Sequence, residues 1–172
     1  LLEIADEVFT SREKMLVFTS YNRVAALIAR VFRQRYGIFA DVINGATPVS
    51  ERQLVVDRLG AEVGSGVLVL NPRAAGAGLN ITSANHVVHY NLEWNPAVED
   101  QASARAYRRG QERPVTVHRL YFADTVEQVV DERVDAKREL SGAAVVGVRG
   151  TETDRAEIAR ALRLSPVRGA RP

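Results

Sequence analysis

The uninterrupted apolar run Val67-Leu68-Val69-Leu70 indicates the fold class of this chain. A short, uninterrupted apolar run is typical of a β-strand that is buried on both of its faces. Strands of this kind belong to parallel sheets that are covered by helices on either side. Comparable short runs recur along the chain, and they predict strands at 15–20, 38–43, 66–70, 86–90 and 115–122.

Amphipathic segments alternate with these strands, and they predict helices at about 2–10, 22–35, 48–59, 97–108 and 125–140. Thr47 followed by Pro48 indicates an N-cap with proline at the first helical position. Asp124 with Glu127 resembles a capping box. In the last helix the expected buried stripe consists of Val126, Val129, Val130 and Val134. The alternation predicts an α/β fold in which helices cover both faces of a mostly parallel central sheet.

The arginines are distributed unevenly along the 172 residues, although the net charge is only +2. The segment 21–40 contains four arginines and no acidic residue, and the segment 101–120 contains five arginines against Glu112 alone. Such clusters can form an electrostatic footprint for nucleic acid, but an arginine-rich composition also produces some clustering by chance. The length suggests one domain with a tail.

Several classes of site are excluded or disfavoured by what the sequence lacks. It contains no cysteine, so disulfides, thiolate metal sites and cysteine catalysis are excluded. His86 and His89 should point to opposite faces of one strand, and His118 lies in another strand, so we expect no metal site. No apolar run approaches the roughly 20 residues that cross a bilayer. Because position 1 is a leucine, we expect the chain to be part of a longer polypeptide.

Gln101, Arg105 and Arg108 fall on a single stripe if the segment 97–108 is helical. The planar guanidinium group carries a permanent charge and suits the oxygens of a phosphoryl group. An arginine finger contributes roughly 10³–10⁵ in rate to phosphoryl transfer. The same spacing is also typical of a solvated helix face, and the stripe alone leaves both interpretations open.

The stripe is part of a longer series of short motifs that follow one another in the sequence. The series comprises Ala74-Ala75-Gly76-Ala77-Gly78-Leu79-Asn80, His86-Val87-Val88-His89-Tyr90, Glu93-Trp94-Asn95-Pro96 and the segment from Gln101-Ala102 to Gly110-Gln111. It resembles motifs five and six of the superfamily-two helicase-like ATPases, and specifically the Swi/Snf family of double-stranded DNA translocases. Lys14-Met15-Leu16-Val17-Phe18-Thr19-Ser20 is similar to motif four of that family.

The resemblance implies a three-layer RecA-like domain that forms the second, C-terminal lobe of a two-lobed motor. This lobe would occupy residues 1–141 and include a brace helix at 125–140. The resemblance is loose after about residue 142. We expect 142–172 to be a C-terminal extension with a helical segment at 152–163 and a flexible end.

The resemblance also implies catalytic and nucleotide-binding roles for individual residues. Arg105 and Arg108 match the two arginines of motif six that approach the γ-phosphate of ATP, with Arg108 as the finger. Gln101 would help to orient them, although it could equally cap a local turn. The motif-five residues, at which the backbone comes close to a ligand or the facing lobe, are Gly76, Gly78 and Asn80. An ordinary strand-to-helix turn is the alternative for these three.

A second set of residues matches positions that contact or lie near DNA in the family: Thr19, Ser20, Gly45, Arg73 and Trp94. Arg52 is a further candidate for a phosphate contact. Contacts to the phosphate backbone position a protein on DNA without reading its sequence. The alternative for Trp94 is a core position, and the alternative for Arg52 is an ion pair. Where the family usually has a small hydroxyl residue, this chain has Asn71-Pro72, and the proline lacks a backbone donor for phosphate.

The sequence contains only half of an ATP site, because it has no glycine-rich loop ending in Lys-Ser/Thr and no magnesium carboxylate at a strand end. The resemblance implies that ATP with Mg²⁺ is held by the N-terminal RecA-like lobe of the same polypeptide. We therefore expect this chain alone to be inactive. Closure of the two lobes would move the motor along double-stranded DNA and displace bound protein.

Two alternatives to the duplex translocase remain open. One is a lobe of a single-stranded DNA or RNA helicase, and the other is a catalytically silent nucleic-acid-binding lobe. High alanine and arginine usage suggests a bacterial source. With no membrane partner, we expect a cytoplasmic, nucleoid-associated protein.

Overall fold

The computed structural model describes residues 1–73, 78–93, 95–129, 131–132 and 135. The elements in chain order are α1 (Leu2–Thr10), β1 (Lys14–Phe18), α2 (Asn22–Tyr36), β2 (Phe39–Ile43), α3 (Val49–Ala61), β3 (Gly66–Leu70), β4 (His86–His89), α4 (Pro96–Ser103) and β5 (Thr116–Arg119). Among the helices of these residues, none has the length and apolar character needed to cross a bilayer.

The chain divides into two compact units. The first consists of 1–91 and 97–120, and it contains the whole sheet. The second consists of 92–96 and the residues after 120. Of the predicted helix at 125–140, the described part is helical at 126–129, 131–132 and 135. The rest of that helix, with Val130 and Val134, and the predicted extension 142–172 with its helical segment 152–163 lie outside the described residues.

The five strands form one sheet in the order β2-β3-β1-β4-β5. Every neighbouring pair is parallel, and β1 pairs with β3 from Lys14 opposite Gly66 to Phe18 opposite Leu70. The predicted parallel α/β fold is therefore confirmed. Because all strands point the same way, their carboxyl ends lie along one edge of the sheet, where open α/β folds bind their ligands.

The apolar run of β3 is buried on both sides of the sheet. Val67 and Val69 belong to a cluster that includes buried residues of α1 and α2. Leu68 and Leu70 belong to a second cluster, which includes buried residues of α3 and the end of α4. All four side chains are fully buried, so each face of this strand anchors one helical layer.

The predicted N-cap at Thr47 is wrong. The Oγ1 atom of Thr47 accepts a hydrogen bond from the N–H of Asn44 at 3.1 Å. The backbone N–H of Thr47 donates to the carbonyl of Asn44 at 3.1 Å. These bonds close the turn that follows β2. The helix α3 begins later, at Val49, with Pro48 in the capping position and no side-chain cap.

The predicted capping box at Asp124 is displaced by one residue. The Oγ1 atom of Thr125 accepts the N–H of Glu127 at 3.2 Å, as an N-cap side chain does. The carboxylate of Glu127 reaches back to the N–H of Phe122 at 3.0 Å. Asp124 itself has φ +58° and lies in the preceding turn.

The prediction of a helix over 97–108 is wrong at its carboxyl end, because α4 ends at Ser103. The carbonyl of Arg105 accepts the N–H of Ile81 at 3.1 Å. The side-chain amide of Gln111 lies 3.3 Å from the carbonyl of Ala106. If the helix continued past Ser103, the carbonyls of Arg105 and Ala106 would accept backbone N–H groups of the next helical turn. Here they have partners from elsewhere instead. Gln101, Arg105 and Arg108 consequently do not share one helical stripe.

The amino edge of the sheet carries a polar cluster that was not predicted. Glu13 Oε2 lies 2.6 Å from Nε2 of His86, and the Nδ1 atom of that ring lies 3.4 Å from Nε2 of His118. The two imidazole rings are stacked, with centroids 5.7 Å apart. The amide of Asn85 donates to Glu13 Oε1 at 2.8 Å. Within the described residues, no group of three or more histidines and carboxylates is arranged to hold a metal ion.

These contacts change the ionisation of the cluster in defined directions. The hydrogen bond from His86 holds the pKa of Glu13 below its ordinary value of 4.5. Burial lowers the pKa of His118, and the positive charge of the neighbouring His86 lowers it further. Because ionised Glu13 is favoured in the folded state, it stabilises the fold above its unfolded pKa, and this stabilisation is lost as the pH falls through its folded pKa.

We therefore predict that Glu13→Gln lowers the free energy of unfolding most at neutral pH. The gap between wild type and variant should shrink as the pH falls below about 5, since Glu13 becomes protonated first in the unfolded state and then in the folded state. Urea unfolding at a series of pH values measures this gap. The exposed Glu112→Gln serves as the control. A gap that stays constant over this pH range would contradict the assignment.

The burial of β3 gives a second prediction. Leu68→Ala should lower the free energy of unfolding by about 2–5 kcal/mol, because it removes a fully buried side chain and leaves a cavity. Leu54→Ala makes the same chemical change at a position that is 55% exposed on α3, and should cost about 0.5 kcal/mol or less. Urea unfolding of both variants tests this, and equal losses would show that β3 is not central to the core.

Candidate nucleic-acid and nucleotide interface

Three loops meet at the carboxyl edge of the sheet, after β1, β2 and β3. Asn71 connects them with one backbone and two side-chain hydrogen bonds. Its N–H donates to the carbonyl of Ile43 at 3.0 Å, and its side-chain amide donates to the carbonyl of Ser20 at 3.3 Å. Its Oδ1 atom accepts the N–H of Arg73 at 3.0 Å. The loops that carry Ser20, Gly45 and Arg73 are thus held beside one another.

The predicted DNA-contact residues at this edge differ in accessibility. Ser20, Gly45 and Arg73 are exposed, whereas Thr19 is only 1% exposed. The hydroxyl of Thr19 donates to Oδ1 of Asn91 at 2.5 Å and accepts the N–H of Tyr21 at 3.3 Å. A Cβ atom added at Gly45 would meet nothing within 4 Å. The backbone at Gly45 is therefore open to close approach, while the Thr19 hydroxyl is engaged inside the protein.

Arg52 reaches back from α3 to the turn that carries Gly45. Its Nε atom donates to the carbonyl of Thr47 at 3.0 Å, and its side chain is half-buried. The sequence left a phosphate contact and an ion pair as the two possibilities for Arg52. The structure adds a backbone carbonyl as a partner, through which Arg52 braces the turn. Trp94 and Gly76, two further predicted site residues, lie outside the described residues.

Arg108 and Asn80 form the second part of the candidate site. The Nη1 atom of Arg108 donates to Oδ1 of Asn80 at 3.0 Å, and both residues are exposed. Gly78, two residues earlier, has φ +116°, a conformation that residues with a Cβ atom rarely adopt. The structure thus brings together the predicted motif-five residues Gly78 and Asn80 with the predicted finger Arg108.

Arg105 lies in a different environment from Arg108. Its residue exposure is 3%, whereas Arg108 is exposed. Burial, and secondarily the positive charge of Arg108, lowers the pKa of Arg105. Two positive charges held close together favour an anion beside them. Gln101, the third member of the predicted catalytic set, is exposed on α4 before the helix ends.

Two buried polar pairs support this region, and neither was predicted. Glu99 of α4 accepts a hydrogen bond from Nε of Arg119, at 3.0 Å, at the end of β5. Ser103 Oγ lies 2.8 Å from Nε2 of His89, whose ring stacks on Phe18. Glu99 and Arg119 look like ordinary surface charges in the sequence, so no local signal marks them as a buried pair. For Asn71 a signal did exist, since asparagine directly after a strand favours turns closed by its side chain.

Comparison with known proteins places this arrangement in a family. Residues 1–110 match the helicase conserved C-terminal domain. YwqA of Bacillus subtilis (strain 168), named as a candidate ATP-dependent helicase/translocase, is 38% identical over 141 residues. The match covers 82% of this chain and 15% of YwqA. The chain therefore spans only a small part of this curated relative.

Solved structures agree with the sequence match. The C-terminal part of the Fun30 ATPase domain aligns with a TM-score of 0.74 and 20% identity, over 94% of this chain and 50% of that one, which supports the fold. The Sulfolobus solfataricus SWI2/SNF2 ATPase core in complex with dsDNA aligns with a TM-score of 0.65 and 32% identity, over 81% of this chain and 29% of that one. The chain therefore belongs to the helicase conserved C-terminal domain family, as a second RecA-like lobe of the Swi/Snf group.

Proposed function

We propose that this chain is the second motor lobe of a DNA-stimulated ATPase that translocates on double-stranded DNA and displaces or remodels proteins bound to it. The observation that carries the proposal is the exposed Arg108, held by Asn80 at 3.0 Å beside the tightly turned Gly78. A guanidinium group that is exposed and already oriented suits contact with a phosphoryl group that arrives on another lobe.

ATP with Mg²⁺ would be held mainly by the N-terminal RecA-like lobe of the same polypeptide. The residues of this chain fit half of that site. Arg108 supplies a cation, and Gly78, which has no side chain and a φ of +116°, lets the backbone before Asn80 come close to a ligand. When bound, the nucleotide supplies the phosphoryl group whose developing charge Arg108 stabilises. Gly76 is proposed for the same segment.

Arg105 and Gln101 would have supporting roles for Arg108. The 3% exposure of Arg105 means that its guanidinium group approaches a phosphate only after the 104–106 turn moves. In the described arrangement burial lowers the pKa of Arg105, and the nearby positive charge of Arg108 lowers it further. Gln101 lies on α4 immediately before this turn and would help to orient it at the lobe interface.

The carboxyl-edge loops would hold the DNA backbone. Ser20, Gly45 and Arg73 offer a hydroxyl, an open backbone position and a charge at one edge of the sheet. Such contacts position DNA without reading its sequence. Thr19 would join them only if its hydroxyl left Asn91, and Arg52 would act by bracing the turn around Gly45. Trp94 remains a proposal from the family pattern.

Duplex DNA is proposed as the partner because the related Sulfolobus core was solved with dsDNA. A lobe of a single-stranded DNA or RNA helicase, and a catalytically silent nucleic-acid-binding lobe, are the alternatives. A nucleoid-associated location in a bacterium follows from the same proposal and from the amino-acid usage.

The first test is ATP hydrolysis by the full-length protein with no polymer, duplex DNA, single-stranded DNA or RNA. We expect duplex DNA to stimulate turnover most, and Arg108→Ala to lower the stimulated kcat by roughly 10³-fold or more, because the variant loses its phosphate contact. Arg109→Ala, an equally charged change at an exposed neighbour, should retain most of the activity. The 172-residue chain alone should hydrolyse ATP only at background rate.

Other outcomes would decide between the alternatives. Preferential stimulation by single strands would favour the helicase. Equal activity of Arg108→Ala and wild type would remove the finger assignment and favour the silent lobe.

The role of Asn71 gives a separate prediction for DNA binding. Asn71→Ala removes the side-chain bonds to Ser20 and Arg73, so the loops should lose their alignment. We expect duplex affinity to fall by about three- to tenfold, as for the loss of roughly one hydrogen bond. Asn22→Ala removes an exposed amide from the nearby start of α2 and should bind like wild type. Fluorescence anisotropy with a labelled duplex measures both, and equal affinities would refute the alignment role.

A further inference from the structure

The four arginines of the segment 21–40 fall into two classes in the structure. Arg33 donates through Nε to the carbonyl of Ala40 at 2.6 Å and lies 3.9 Å from the carboxylate of Asp41. Arg35 lies 3.5 Å from the carboxylate of Asp6. These two arginines are exposed, but each has a carboxylate partner within the protein that offsets its charge.

Arg23 and Arg30 form the second class. Both are exposed on α2, and in the part of the chain that the structure describes, neither side chain makes a hydrogen bond or an ion pair. The spacing of seven residues places them on one face of the helix, two turns apart. Leu27, 48% exposed, lies between them. We call this face, comprising Arg23, Leu27 and Arg30, the α2 stripe.

The α2 stripe begins next to the candidate DNA-contact loops. The helix α2 starts at Asn22, two residues after Ser20, at the carboxyl edge of the sheet. It then runs along the outside of the sheet toward the amino edge, because it connects the end of β1 to the start of β2. The stripe therefore starts beside the loop that carries Ser20 and extends from it along the outside of the sheet. No acidic residue occurs between positions 21 and 40.

We propose that Arg23 and Arg30 extend the DNA contact by binding the phosphate backbone of the duplex along α2. This inference rests on the proposed function, since it concerns the same polymer at the same edge. The two arginines are about 10.5 Å apart along the helix axis. One strand of a duplex carries a phosphate every 3.4 Å or so of axis, so the stripe spans about three phosphates.

A phosphate backbone fits this surface better than an acidic protein. The stripe has two exposed cations but a single apolar residue, and about half of the Leu27 side chain is already covered. Isolated surface leucines are ordinary, whereas protein interfaces usually have a larger apolar centre. Arginine, by contrast, matches the geometry of phosphate oxygens.

The test is the salt dependence of duplex binding by the full-length protein without nucleotide. Each phosphate contact contributes about 0.9 to the slope of log K against log salt. The double variant Arg23→Ala/Arg30→Ala should therefore reduce the magnitude of this slope by about 1.8. The matched control is Arg33→Ala/Arg35→Ala, which removes the same charge from the same helix but from side chains with protein partners. Its slope should equal that of wild type.

The outcomes separate this inference from the proposed function. If duplex DNA stimulates ATP hydrolysis but the Arg23/Arg30 variant keeps the wild-type slope, the stripe does not touch DNA although the motor function stands. If both double variants reduce the slope equally, the effect is one of general charge, and the contact is again refuted. If wild type neither binds duplex DNA nor responds to it, the proposed function itself fails.

A last arm addresses a protein partner. Binding of poly-glutamate that is lost in the Arg23/Arg30 variant, with an unchanged DNA slope, would assign the stripe to an acidic protein instead. Thermal unfolding of both double variants confirms that the comparison is made between folded proteins.

Discussion

The parallel pairing of β1 with β3 at the centre of the sheet holds both helical layers of this lobe in place. Both strands are buried on both faces, so the two helical layers are attached to the same few residues. Parallel pairing also sends every strand toward the same edge. As a result, the loops after β1, β2 and β3, which are far apart in the chain, all begin at the same edge of the sheet. Burying the apolar strands in one parallel sheet therefore also places the loops that could bind a ligand at one edge.

Polar side chains then hold the loops at this edge in defined positions. Asn71 bonds the end of β2 through its backbone N–H, the loop after β1 through its side-chain NH₂, and its own loop through Oδ1. Deeper in the same unit, the buried pair of Glu99 and Arg119 links α4 to β5. Such a pair costs desolvation energy and is retained where geometry is important. The lobe thus combines a close-packed apolar core with a few directional polar contacts.

The elements that the sequence predicted correctly are those with a strong local signal. The apolar runs located all five strands within a few residues, and the order of the motifs led to the family.

The predictions that were wrong depended on partners distant in the chain. The helix over 97–108 ends early because Ile81 and Gln111 engage its carbonyls, and Thr47 closes a turn with Asn44 instead of capping α3. No periodicity reports such contacts. Likewise, the pairing of His86 with His118 appears only when the strand order is known, and the burial that separates Arg105 from Arg108 is invisible in their spacing.

The amide of Gln111 has a mechanical consequence. Its nitrogen lies 3.1 Å from the carbonyl of Thr82, 2.9 Å from that of Ala84 and 3.3 Å from that of Ala106. An amide nitrogen carries only two hydrogens, so three acceptors compete for two bonds. This one side chain thus links the segment before β4, which follows Asn80, to the segment between Ala106 and Gln111, which carries Arg108.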